Sequence, residues 1–363
     1  MERIRDNWSA ILLVAFLVGG ATYIHSVEAS LGTFLWIVAA LVIVVAVLGS
    51  LISSATEPLW SHLTRTQREA LTGYLFVLPW LIGFLVFTFG PMLFSFYASF
   101  CSYNITGAPQ WKGWDYNYGN ILQHDATFVK SLQNTVWYVA VKTPVIMIAS
   151  LALALLMNQR VPAIRFFRTI FYMPTVVTGV AAIFLWAWVL QPNGVLNQGL
   201  SKLGIQGPFW FLDPAWSKAA LVVMGTWYIG SPMLILLAGL NGVPRQLYEA
   251  AEVEGAGIIR QFWSITIPML SPTLFFLILT NVIGAFQVFN SAFILSTATG
   301  GGNTNPGDPA QSLMFIEVYL YTKFRVLDMG YASALAWILF VIILVITAIQ
   351  LYLSKRWVYY ESG

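Results

Sequence analysis

Long apolar runs separated by short polar breaks occupy almost the whole chain. They fall near residues 73–100, 132–157, 170–190, 216–240, 267–295 and 330–353, preceded by two further apolar stretches at 8–25 and 32–53. An α-helix rises 1.5 Å per residue, so about twenty apolar residues cross a hydrocarbon layer of roughly 30 Å. A helix also satisfies its own backbone hydrogen bonds, which lipid cannot do. The pattern therefore predicts an all-α, polytopic membrane protein with about eight transmembrane helices. Residues 1–55 form an N-terminal hairpin and 56–72 a polar cytoplasmic linker with Arg65 and Arg68. Residues 73–355 form a six-span core, and 356–363 a cytoplasmic tail. A signal sequence is the rival reading of residues 8–25, but that stretch is long and a second span follows closely, so a retained hairpin is expected.

Composition narrows the class. The chain is 58% hydrophobic and only 9% charged, against roughly 25% charged in soluble domains, and its mean hydropathy is +0.74. A net charge of +3 gives no reason to invoke nucleic acid. Lysine and arginine instead report topology. With the N-terminus inside, eleven fall on cytoplasmic segments and six on outer ones, and every arginine except Arg325 is inside. Both termini and the loop at 241–266 are then cytoplasmic. The single cysteine, Cys101, cannot form an internal disulfide. His25, His62 and His124 lie in or near loops and offer no paired ligands, so no metal or cofactor is expected.

The most polar interruption is Tyr248 to Pro268. Glu249, Glu252 and Glu254 crowd together there, flanked by Arg245 and Arg260. Pro244 suits a first helical turn, and Gly255 and Gly257 suit a stop. The expected form is a short helix over about 244–256, a glycine bend, and a second helix entering the membrane. Ala250 and Ala251 have almost no side chain, so a partner surface can approach the backbone. The spacing of Glu249, Ala250, Ala251, Gly255, Ile265 and Pro268 resembles the EAA loop of binding-protein-dependent ABC importer permeases, with Ile267 where that pattern has Leu and Glu254 where it often has Asp. The likeness extends over roughly residues 70–355. It includes Asn134-Thr135, 151–158, Phe166 to Thr169, Pro174, 240–244, Gly300 to Gly302 and 329–334, and is similar to carbohydrate permeases of the maltose and glycerol-3-phosphate type. The outer loop at 102–130 is short, so the large insertion of some maltose subunits is missing.

The resemblance implies a subunit of the bacterial cytoplasmic membrane that moves a sugar or related polyol by ATP-driven alternating access. The chain has no Walker motif: the glycine-rich stretch at 297–309 lacks G-K-[ST] and a preceding strand. ATP and magnesium would be bound by a partner ATPase dimer. A second homologous permease and an extracellular solute-binding protein complete the implied complex. In it, Glu249 makes a charged contact to the ATPase, Ala250 and Ala251 permit the approach, Gly255 bends the loop, and Pro268 fixes the start of the fifth core span.

A solute route calls for polar groups inside spans, which are costly in lipid and face a bundle interior. Asn281, Gln287 and Asn290 share one apolar run. On an ideal helix Asn281 and Gln287 are about 240° apart, whereas Gln287 and Asn290 share a face, so that pair is favoured. Phe286 and Trp227 are candidates to stack on a sugar ring. Lys142, inside a span beside Pro144, either snorkels to an interface or a neighbouring subunit, or donates into the cavity. The aromatic outer loops at 102–130 and 193–215 read first as interface belts, and residues 311–325 as an interfacial helix. A gradient-driven carrier would call for carboxylates deep in the spans and paired halves, neither of which is evident. A non-transporting assembly subunit has no use for a docking loop. An enzyme would need a cluster of catalytic groups that the chain lacks.

Overall fold

The computed structural model describes residues 64–159, 162–298 and 305–359. The N-terminal hairpin, Arg160 and the glycines at 300–302 lie outside them. Almost every described element is helical. The chain divides into two compact units, Met1–Gly90 and Pro91–Gly363. In the first, α1 (Arg65–Phe84) opens on a reciprocal cap between Thr64 and Gln67 and runs on through a π-helical turn at Leu85–Phe89. It begins inside the stretch expected as linker. Its large apolar side chains, Phe76 and Phe87 among them, are exposed, as a lipid-facing surface requires.

The second unit begins as the chain passes through α2 (Gly90–Ala98) into a two-residue hairpin of β1 (Cys101–Ser102) and β2 (Gln110–Trp111). After α3 (Asn120–His124), the 32-residue α4 (Ala126–Met157) starts where Asp125 Oδ1 accepts from the amides of Thr127 and Phe128. Its length of about 48 Å exceeds the hydrocarbon thickness, so it tilts or projects.

The third and fourth expected spans are not single helices. Helix α5 (Ile164–Tyr172) runs into a 3-10 turn at Met173–Val176 and breaks by 101° before α6 (Gly179–Val189). Pro174 withholds an N–H, and Val177 and Thr178 are extended, which ends the helical ladder there. A short α7 (Val195–Lys202) follows, and then α8 (Ser217–Gly225) meets α9 (Gly230–Gly242) at a 49° bend. The two breaks touch. A side-chain carbon at Gly230 would lie 2.1 Å from the Phe171 carbonyl oxygen, so only glycine admits this crossing.

Beyond the polar loop helix α10 (Arg245–Val253), a 40-residue helical run crosses the unit. It comprises α11 (Ile258–Gln261), a π turn at Phe262–Thr266, α12 (Ile267–Phe286) and α13 (Asn290–Ala298). Helix α14 (Ile316–Arg325) and the closing α15 (Met329–Trp357) complete the unit. Among the described residues, four helices are long and apolar enough to span a membrane, and the two bent pairs bring the number to six. The segment expected as an interfacial helix is helical over Ile316–Arg325, and the part around its start is buried in the protein. Leu313, Phe315, Ile316 and Val318 are fully buried. Asn134 Nδ2 donates to the carbonyls of Gln311 and Met314, and Thr135 Oγ1 accepts from the Ile316 amide. Gly330 passes so close to Cys101 that a side-chain carbon would lie 2.3 Å from its carbonyl oxygen.

Candidate functional site

The apolar interior forms two clusters, and helices α4 and α12 contribute to both. Helix α4 gives Tyr138 and Val139 to the first and Met147, Ala154 and Met157 to the second. Helix α8 supplies Leu221 and Met224 to the first, while α9 supplies Met233, Leu236 and Leu240 to the second. Helix α12 follows suit, with Ala285 and Phe286 in one and Leu270, Leu274 and Leu277 in the other. Between the clusters lies a waist that mixes polar residues with apolar ones such as Ile235 and Met224. Two cavities occupy it, both lined by Lys142 and Gly284.

One cavity, of ≈ 280 Å³, is lined by Gln287 and Asn290 together with Tyr138 and Tyr228. The other, of ≈ 430 Å³, is lined by Asn281, Thr280 and Ser231. The expected separation of Asn281 from the Gln287–Asn290 pair therefore appears, though for a different reason. Helix α12 ends at Phe286 and the ladder is broken through Phe289, so Gln287 and Asn290 do not share a continuous helical face. The break turns both into one cavity. Asn281 is tied back to its own helix, its Nδ2 donating to the Leu277 carbonyl at 2.9 Å. Tyr228, not singled out from the sequence, presents a buried hydroxyl with no hydrogen-bond partner among the described residues.

The two aromatic candidates fare differently from the polar ones. Phe286 is 3% exposed inside the first cluster and lines neither cavity, because it closes the last turn of α12 on its packed side. Trp227 packs edge-on against Trp186 at 5.7 Å, with both indole N–H groups buried and unpartnered. It stands beside the waist without lining either cavity. Lys142 lies over the Tyr138 ring at 5.2 Å and its stem runs beside Gly225. It lines both cavities and reaches back one helical turn to Tyr138.

The polar loop folds as its spacing dictates. Helix α10 ends at Glu254, and Gly255 adopts φ +79°, where a side chain would be strained. The Ala256 amide bonds to Ala251 O and the Gly255 amide to Glu252 O, the paired closure of a Schellman motif. Glu249 and Ala250 are exposed, and among the described residues none of the three glutamates forms an ion pair. A groove of ≈ 350 Å³ runs between α10 and the following turn, with Ala250, Ala251 and Arg260 on its walls. Val253, Ile258, Ile259 and Trp263 project large apolar surface around it. These four were not legible as a surface, since apolar residues beside a span read as part of it. Pro268 sits in the first turn of α12, just after the π turn that absorbs its missing donor. Tyr248 and Thr266 hydroxyls, 2.9 Å apart, join α10 to that turn.

A helical membrane unit with a polar waist and an exposed, charged loop helix defines a multi-span permease. The family model described as "Binding-protein-dependent transport system inner membrane component" matches residues 146–359. A probable ABC transporter permease protein of Bacillus subtilis, YesP, is 37% identical over 82% of this chain and 94% of its own. The lactose transport system permease protein LacF of Rhizobium radiobacter is 31% identical over 79% and 95%. A solved bacterial ABC transporter that imports the acidic polysaccharide alginate shares the fold, with a TM-score of 0.69 over 82% of this chain and 99% of that one at 24% identity. The chain belongs to the family of binding-protein-dependent transport system inner membrane components, and is an integral membrane permease of an ABC importer.

Proposed function

We propose that this permease moves a saccharide through the waist around Lys142, Gln287 and Asn290, and that α10 couples the movement to ATP hydrolysis on partner subunits. The observation that carries the reading is the placement of polar groups at the break between two apolar cores. Sugar hydroxyls need hydrogen-bond partners, and unpaired polar groups in a membrane interior are costly unless they serve a path. Gln287 and Asn290 are exposed, which suits a route whose other wall is a second, related permease. Relatives named for lactose and arabinooligosaccharide transport support the substrate class.

Coupling follows from the loop. The exposed Glu249, the small Ala250 and Ala251, and the apolar rim suit insertion into a cleft of an ATPase subunit. The second apolar core joins both ends of the loop through Leu240 and Leu270. Closure of an ATPase pair would then move this core as one body and open the waist alternately to each side. A solute-binding protein on the outer face delivers the sugar, and the loop and both termini are cytoplasmic.

The test is solute-stimulated ATPase activity of the assembled importer in proteoliposomes, probed with neutral and acidic oligosaccharide mixtures. Glu249→Lys and Gly255→Asp should abolish stimulation while the permease remains folded and membrane-inserted. Full stimulation in both variants would overturn the coupling role of the loop.

A further inference from the structure

Lys142 is a charged group in a place where nothing described neutralises it. It lies near the middle of α4, sixteen residues after Ala126. Among the described residues no carboxylate forms an ion pair with it, and its ammonium stands over the Tyr138 ring. It belongs to neither apolar cluster, yet it lines both waist cavities. Its surroundings in the smaller cavity are groups that hydrogen-bond without charge, namely Tyr228, Gln287 and Asn290. A lysine used only to bond neutral hydroxyls would carry the full desolvation penalty of its ammonium with no counter-charge. Asparagine or glutamine would perform that task more cheaply.

We propose that the counter-charge travels with the solute: the importer carries an acidic saccharide, such as a uronate oligosaccharide, and Lys142 meets its anionic group as it crosses the waist. This rests on the reading of the waist as the sugar path. The uncharged donors around Lys142 would hold the ring hydroxyls while the ammonium pairs with the carboxylate. Tyr138 keeps the ammonium attracted to the cavity wall in the absence of solute through its ring face.

The complete importer, with its binding protein, is reconstituted with unaltered permease, Lys142→Met and Lys142→Arg. ATPase stimulation and uptake are measured with oligogalacturonates, alginate oligosaccharides, malto-oligosaccharides and galacto-oligosaccharides. The expected result is uptake of an acidic mixture by the unaltered importer, a loss of at least tenfold in Lys142→Met, and substantial retention in Lys142→Arg. Uptake of a neutral mixture alone would overturn the proposal and leave the sugar path standing. Acidic uptake undiminished in Lys142→Met would also overturn it. So would a Lys142→Met chain that no longer co-purifies with the second permease, since the lysine would then belong to the subunit contact. If none of the four mixtures stimulated the unaltered importer, the saccharide reading would fail as well.

Discussion

Asp125 shows how much one side chain at a helix end can organise. One carboxylate oxygen caps α4, and the other accepts from the hydroxyls of Tyr319 and Tyr331, on α14 and α15. Burial opposes its charge, but the two hydroxyls and the amides of Phe128 and Thr127 outweigh that and hold its carboxyl below the usual range. A carboxyl with a lowered folded pKa stabilises the fold above its unfolded pKa, and that contribution is lost as pH falls through the folded value. Asp125→Ala removes a cap and leaves two hydroxyls without an acceptor. It should cost about 2–4 kcal/mol, read as a lower midpoint in thermal unfolding in detergent. The difference from the unaltered chain should shrink as the pH is taken down through the carboxylate range. In the waist, Gln287→Ala or Asn290→Ala should each raise the half-saturating solute concentration for uptake by about twofold to tenfold, the worth of one lost hydrogen bond. Asn281→Ala should do less, since that amide is already bonded to Leu277. Equal effects at all three would mean that the cavities do not divide the path as drawn.

At the scale of elements, the apolar runs announced the helices because lipid marks a span along its whole length. The polar loop was legible for the opposite reason: its charges, alanines and Gly255 each solve a local problem within a few residues. The breaks were not legible. Pro174 bends α5 into α6 only together with an extended Val177–Thr178 pair, and the bend at Gly230 answers a contact with Phe171, fifty-nine positions earlier in the chain. The burial around 313–318 is not legible in the sequence, because Asn134 and Thr135, far away in the chain, hold that stretch. Those same breaks give the waist its polar groups, so Tyr228 and the shared cavity of Gln287 and Asn290 emerge only with the fold. The link between α10 and the π turn belongs to this scale too. Tyr248→Phe removes the bond to Thr266 and should lower solute-stimulated ATPase activity severalfold without loosening the ATPase from the membrane. Unchanged stimulation would show that α10 transmits force through backbone packing alone.

For the whole molecule, the proposed arrangement would work as a lever. The loop joins the second apolar core through Leu240 and Leu270, and Leu277 of that core lines a cavity beside Lys142. Rigid packing within each cluster suits a two-state transporter, since packed cores switch between arrangements and do not deform smoothly. On the proposed reading, Glu249, Gln287 and Lys142 would act at three points of one motion. The measurement that tests this most directly is cross-linking at Ala250→Cys in membranes holding the assembled importer. The chain has one native cysteine, Cys101, which is fully buried and leaves the new thiol as the reactive one. The account predicts a cross-link to the ATPase subunit, labelling from the cytoplasmic side only, and arrest of uptake once the bond is made. Labelling from the outer side, or an assembled importer in which Ala250→Cys reaches no ATPase, would contradict it.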